Sequence, residues 1–127
     1  MTDILPIKQK TWLIGVVGPC ASGKSTLITG FELANIRFRH IAQEHSYVAA
    51  MWQRLTNPDF LIFLDASYEV TCRRRNLNWT IEEYQEQHRR LSHARIHADC
   101  YILTDDLSPA DVRSRVLEFL RSRSIPV

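Results

Sequence analysis

The stretch WLIGVVGPCASGKST, residues 12–26, joins an apolar run to a glycine-bounded loop, and its reading decides the fold. Thr11 to Val17 is β-rich and apolar throughout, the pattern of a strand covered on both faces. Behind it, residues 18–25 have a glycine, four further residues and then Gly-Lys-Ser, the spacing GxxxxGK[ST]. With ordinary composition this spacing arises by chance in about 4 in 1,000 chains of such length, so the loop is read as a built feature. A phosphate chain needs several N–H donors aimed inward, and a glycine-rich turn feeding a helix start supplies them. Gly18 and Gly23 permit the backbone angles and the close approach. Lys24 is expected to reach the β and γ phosphates, and the Ser25 hydroxyl to ligate Mg²⁺. The expected cradle is therefore Gly18, Ala21, Ser22, Gly23, Lys24, Ser25 and Thr26.

Working outward, apolar residues Leu27, Ile28, Phe31 and Leu33 recur near helical spacing, which predicts a helix from Lys24 to about Ala34 that stops at Asn35. Residues 36–42, IRFRHIA, alternate apolar and polar, as in a strand at a sheet edge. A helix is predicted over Tyr47–Leu55, ended by Thr56-Asn-Pro58. Phe60–Leu64 is the clearest buried strand and closes on Asp65. Ser67 is the expected N-cap of a helix over Tyr68–Arg75, and Thr80 with Glu83 forms a capping box for a longer helix to about Ile96. Ala98–Leu103 is a last strand. Ser108 as N-cap, with Pro109 at the first helical position, opens the final helix, whose apolar stripe is Val112, Val116, Leu117 and Leu120.

Strands alternating with helices predict an α/β fold, a three-layer sandwich of about four parallel strands with helices on both faces. Ligands in such sheets bind beyond the carboxyl ends of the strands, where residues 18–25, 43–46, 65–67 and 104–106 are expected to converge. Two carboxylates are candidates to serve the magnesium ion, Glu44 after the second strand and Asp65 after the third.

The length of 127 residues allows one domain, with residues 1–10 a candidate flexible N-terminus. At 45% apolar and 24% charged residues, the chain reads as an ordinary globular protein. No apolar run reaches the roughly 18 residues of a membrane span, and residues 1–10 lack the order of a signal peptide, so a cytoplasmic location without membrane contact is expected. Three cysteines, Cys20, Cys72 and Cys100, odd in number and without CxxC spacing, suit a reducing compartment and argue against a zinc site. Net charge is only +2, yet Arg outnumbers Lys thirteen to three. Six of those arginines lie between Arg73 and Arg95, and their planar forks match phosphate oxygens.

The order of elements resembles the P-loop small-molecule and nucleoside-monophosphate kinases, the group that includes adenylate, shikimate and gluconate kinases. The resemblance rests on the Walker A pattern at residues 18–25 and on residues 60–75, FLIFLDASYEVTCRRR, which are similar to the kinase strand and helix that lead into a mobile lid. It implies a P-loop NTPase type of fold, ATP and Mg²⁺ as ligands, and transfer of the γ-phosphoryl group to an unidentified small-molecule acceptor. It also implies that the arginine nine positions after the aspartate, here Arg74, packs on the ATP base and helps close over the phosphates. Arg73 and Arg75 are alternates, since successive helical side chains point about 100° apart. Arg89, Arg90 and Arg95 take the place of lid arginines, while Thr104 and Asp105 resemble the loop that borders the adenine. The catalytic set implied is Lys24, Arg74 and Glu44.

The chain also departs from that pattern. The segment that usually binds the acceptor between the first helix and second strand is missing, the second strand leads into Gln43-Glu44-His45-Ser46 rather than an Asp-led motif, and the interval Leu77–Thr80 is brief for a lid. His93 and His97 share a helix face but lack a Glu or Cys to complete a zinc set, and with His40 and His88 they read as surface or packing residues. His45 is retained as an acceptor contact or base. Trp52 and Trp79 read as core residues, with a homodimer contact as the alternative. Three functions follow: a compact kinase, a nucleotide-binding switch or partner module, and a nucleic-acid or nucleotide-end enzyme that uses the Arg-rich helices. The low net charge weighs against the last.

Overall fold

Four short extended segments pair side by side because their backbone groups find partners in one another. In the computed structural model, which describes residues 10–75 and 78–127, they are β1 (Trp12–Val17), β2 (Ile36–His40), β3 (Phe60–Asp65) and β4 (Cys100–Leu103). The sheet is parallel throughout, in the order β2-β1-β3-β4. β1 is thus central and buried over Ile14, Val16 and Val17, and β2 is an edge strand whose alternating arginines face outward. Five helices accompany the strands: α1 (Lys24–Thr29), α2 (Met51–Leu55), α3 (Tyr68–Arg74), α4 (Ile81–His97) and α5 (Pro109–Ser122). The expectation for residues 1–9, and the Leu77 end of the expected short lid interval, lie outside the described residues.

Strand alternation sorts the apolar side chains into two clusters. Ile14, Val16, Ile62, Leu64 and Ile102 join Leu27 of α1 and Val112, Val116 and Leu120 of α5. Val17, Leu61 and Phe63 join Trp52 of α2 and Leu91 and Ala94 of α4. Trp52 is therefore a core residue. Trp79 is half-buried; it donates to Thr71 Oγ1 and meets Tyr84 edge-on. No helix among the described residues is long and apolar enough to cross a membrane.

Both later helices start as their sequences dictate. Thr80 and Glu83 cap α4 reciprocally, and Ser108 and Asp111 do the same for α5 with Pro109 in its first turn. Two predicted helices are shorter than their periodicity. α1 ends at Thr29 instead of Ala34 because Gly30 closes it: the Gly30 N–H donates to Leu27 O at 3.1 Å and the Phe31 N–H to Ile28 O at 3.3 Å. Phe31 and Leu33 still pack on the core, but from the irregular connection after α1. α2 begins at Met51, not Tyr47. The buried Gln43 side chain accepts from Trp52 N at 2.8 Å and donates to Val48 O at 2.9 Å, so it substitutes for the helical turn that would otherwise satisfy this backbone. The second strand likewise stops at His40 rather than Ala42, because Gln43–His45 curls into a single 3-10 turn. Smaller corrections apply to β4, which starts at Cys100 rather than Ala98, and to α3, which ends at Arg74 rather than Arg75.

Fully buried Leu120 and largely exposed Leu55 give a direct test of this packing. Leu120→Ala should lose about 2–5 kcal/mol of unfolding free energy in urea titrations, whereas Leu55→Ala should stay within about 0.5 kcal/mol of the parent chain.

Candidate functional site

The loop between β1 and α1 is forced into its path by two glycines. At Gly18 a Cβ would stand 2.0 Å from the carbonyl oxygen of Leu64, so β1 leaves the sheet pressed against the end of β3. Gly23 has φ of 105°, a left-handed backbone disfavoured for any side chain, and a Cβ there would project into open space. The loop borders a cavity of about 280 Å³ whose wall includes residues 20–26 together with His40, Glu44, His45, Arg74 and Arg75. The first turn of α1 leaves the N–H groups of Lys24, Ser25 and Thr26 outside intrahelical bonding.

Lys24 is buried at 6% exposure, and its ammonium is held by three oxygens. Nζ donates to Gly18 O at 2.5 Å, Pro19 O at 3.1 Å and Glu44 Oε2 at 2.6 Å. A buried ion pair is tolerated only when the remaining valences are satisfied, and the two loop carbonyls do this for the lysine. The carboxylate is satisfied on one side alone: Glu44 is 3% exposed and its Oε1 has no hydrogen-bond partner among the described residues.

Arg74 joins three parts of the chain. Its guanidinium donates to Thr104 O and to Thr104 Oγ1 at 2.7 Å, and reaches Ala21 O at 3.2 Å. It separates the first cavity from a second of about 170 Å³, whose lining includes Ser22, Gly23, Leu27, Thr104, Leu107 and Pro109. Arg75 lines the first cavity and Arg73 neither. Arg89 is paired with Glu86, Arg90 stacks on Tyr47, and Arg95 covers Tyr101, so none of these three lines the first cavity.

The two metal candidates separate cleanly. Glu44 lines the same cavity as Ser25, although it sits in the 3-10 turn rather than at a strand end. Asp65 lines neither cavity. Its Oδ2 accepts from Tyr101 at 2.5 Å, its Oδ1 accepts from Ala66 N at 2.9 Å, and His88 Nε2 lies 3.6 Å away. Burial, reinforced by the Asp65 bond, pushes the Tyr101 phenol up to about 12. Asp105 is also drawn elsewhere, accepting from Ser67 N at 2.8 Å, while Thr104 is in place beside Arg74.

Gln43 and Cys20 have places at this site that little in their local sequence singles out. Gln43 holds the turn that presents Glu44. Cys20 Sγ lies 3.8 Å from His45 Nε2, and Gln87 brackets it, donating to the sulfur at 3.1 Å and accepting from Cys20 N at 3.0 Å. The only sequence cue was a thiol inside the loop motif. His93 and His97 stack on each other at 4.3 Å between ring centroids, and Trp52 donates to His93, so their shared face serves packing.

No protein-family model matches the chain, and no curated protein matches it.

Two imidazoles, His40 and the half-buried His88, set a pH dependence. The His40 pKa is lowered from 6.5 by burial first and by the charge of Lys24 second, with Glu44 opposing. That of His88 is lowered by burial, with Asp65 opposing. The unfolded chain therefore binds these protons first as pH falls through about 6.5. Stability should be full above that pH and decline below it until the folded-state values are passed. The urea midpoint of the parent chain should drop as pH falls below about 6.5, and the drop should be shallower in a His40→Gln, His88→Gln double variant.

Proposed function

We propose that the chain binds Mg-ATP on the loop Gly18–Thr26 and transfers the γ-phosphoryl group to a small acceptor, in a three-layer frame of P-loop NTPase type. The observation that carries the reading is Lys24: its buried ammonium stands at the wall of a cavity rimmed by Gly23 and the first turn of α1, held by groups that phosphate oxygens can replace. The two apolar clusters, drawn from alternate strand residues, support the three-layer arrangement.

The residues fit the ligands by chemistry. A nucleotide's phosphates belong in the first cavity, against the amides of residues 23–26. Its base belongs in the second, between Arg74 and the largely apolar wall of Leu27, Leu107 and Pro109. Magnesium takes oxygen ligands, and the Ser25 hydroxyl with the unpartnered Glu44 carboxylate oxygen supply two, directly or through water. Bound Mg²⁺ contributes neutralisation of phosphate charge. Lys24 moves from the carbonyls of Gly18 and Pro19 to a phosphate oxygen, and Arg74 and Arg75 lie along the cavity to offset the charge that remains. An acceptor hydroxyl forms the new O–P bond as the bond between phosphorus and the β,γ-bridging oxygen breaks, ADP leaves, and the hydroxyl proton passes to a base. His45, exposed at the cavity mouth, is placed for that role.

Residues 30–35 alone separate α1 from β2, so no inserted segment covers the acceptor. A groove of about 510 Å³ beside α4, walled by His45, Trp79, Glu82, Gln87 and Arg90 among others, is the available alternative. The same short connection favours a second reading, a nucleotide-binding switch that does not transfer phosphate.

Calorimetric titration with Mg-ATP should show binding that Lys24→Met weakens about tenfold or more, consistent with a charge-assisted hydrogen bond worth about 1.5–3 kcal/mol. Glu44→Gln should reduce the Mg²⁺ dependence of binding and Asp65→Asn should not. A screen of nucleosides, sugars and small acids should reveal acceptor-dependent ADP release. ATP binding without such release selects the switch, and absence of ATP binding rejects both readings.

A further inference from the structure

We propose that Cys20, Glu44 and His45 form a binding site for a borderline-soft divalent cation of the Zn²⁺ class, at the mouth of the first cavity. Their ligand atoms, a thiol sulfur, a carboxylate oxygen and an imidazole nitrogen, all lie within 4.8 Å of one another. In a tetrahedral zinc site, bonds of about 2.0–2.3 Å separate neighbouring ligand atoms by about 3.5 Å. The 3.8 Å between Cys20 Sγ and His45 Nε2 is already close to that spacing.

Three features separate this cluster from a chance meeting of polar groups. Glu44 Oε1 is buried and unpartnered, a costly state that a cation would relieve, while Oε2 keeps its bond to Lys24. Gln87, itself buried, fixes Cys20 at both the backbone nitrogen and the sulfur. Its N–H donor thereby holds the sulfur 3.8 Å from His45 Nε2. His45 is exposed, so an ion has a route in from solvent.

The donor set selects the ion. Thiolate and imidazole suit Zn²⁺ and its neighbours, whereas Mg²⁺ takes oxygen alone. Binding releases the Cys20 thiol proton to solvent and leaves a thiolate–metal bond. The thiolate and carboxylate together offset the dication beside the positive charge of Lys24. Three protein ligands leave one coordination position for water or an incoming group. An ion held there ties the β1–α1 loop to the 3-10 turn at Gln43–His45.

The nucleotide-free chain can be titrated with Zn²⁺ against a chromophoric chelator, and with Co²⁺ to read thiolate ligation through sulfur-to-metal charge-transfer absorption. One ion per chain is expected. Losing a hydrogen-bond partner of a metal ligand costs about 10–100-fold in affinity, so Cys20→Ser and His45→Ala should each weaken binding at least tenfold, and Cys20→Ser should abolish the Co²⁺ charge-transfer band. Cys72→Ser and Cys100→Ser should leave both signals intact. A chain that binds no Zn²⁺, or whose binding and Co²⁺ band persist unchanged in Cys20→Ser, overturns the proposal. Because no nucleotide is present, either outcome is independent of the nucleotide reading.

Discussion

A lysine ammonium taken out of water must be surrounded by oxygen, and in this chain that requirement organises the end of the sheet. Lys24 opens the first helix, and the loop carbonyls of Gly18 and Pro19 turn inward to meet it. The remaining negative charge comes from Glu44, which stands in place only because the second strand stops early and curls into a 3-10 turn pinned by Gln43. Glycine at 18 lets the loop lie against Leu64, and glycine at 23 lets it turn into the helix. Each feature makes structural sense alone, but together they leave an accessible cavity beside a buried cation. That arrangement is suited to an anionic ligand.

Strand positions were legible in the sequence because β1 and β3 are buried on alternating sides along their whole length, and continuous apolar runs of that length have few other uses. The starts of α4 and α5 were legible for a different reason: a capping box is a local hydrogen-bond pattern, complete within four residues. The extents of α1 and α2 were not. Phe31 and Leu33 have helical spacing because they pack on the core from the irregular connection after α1, and the backbone at Val48 and Trp52 is held by the Gln43 side chain, five and nine positions earlier in sequence, rather than by helical bonds. Periodicity reports burial, and burial does not require a helix.

The site was partly legible in the same sense. The loop residues Ala21 to Thr26 and Arg74 do meet at the first cavity, and Thr104 joins Arg74 at the second. Glu44 and Asp65 were both legible in sequence as acidic residues expected after neighbouring strands, with Glu44 the favoured one because its strand was expected beside the loop. Their separation depends on tertiary partners, since Asp65 is engaged by Tyr101 and Ala66 while Glu44 faces Lys24. The grouping of Cys20 with His45 depends on Gln87, far along the chain on α4, and had no local signature.

On the proposed reading, phosphate oxygens take over the position of the loop carbonyls around Lys24. Amide hydrogen exchange, followed residue by residue with and without Mg-ATP, tests it most directly. The account predicts slowed exchange concentrated at Gly23, Lys24, Ser25 and Thr26, with little change at the arginines of α4. Unchanged exchange in the loop, or protection confined to α4, would contradict it.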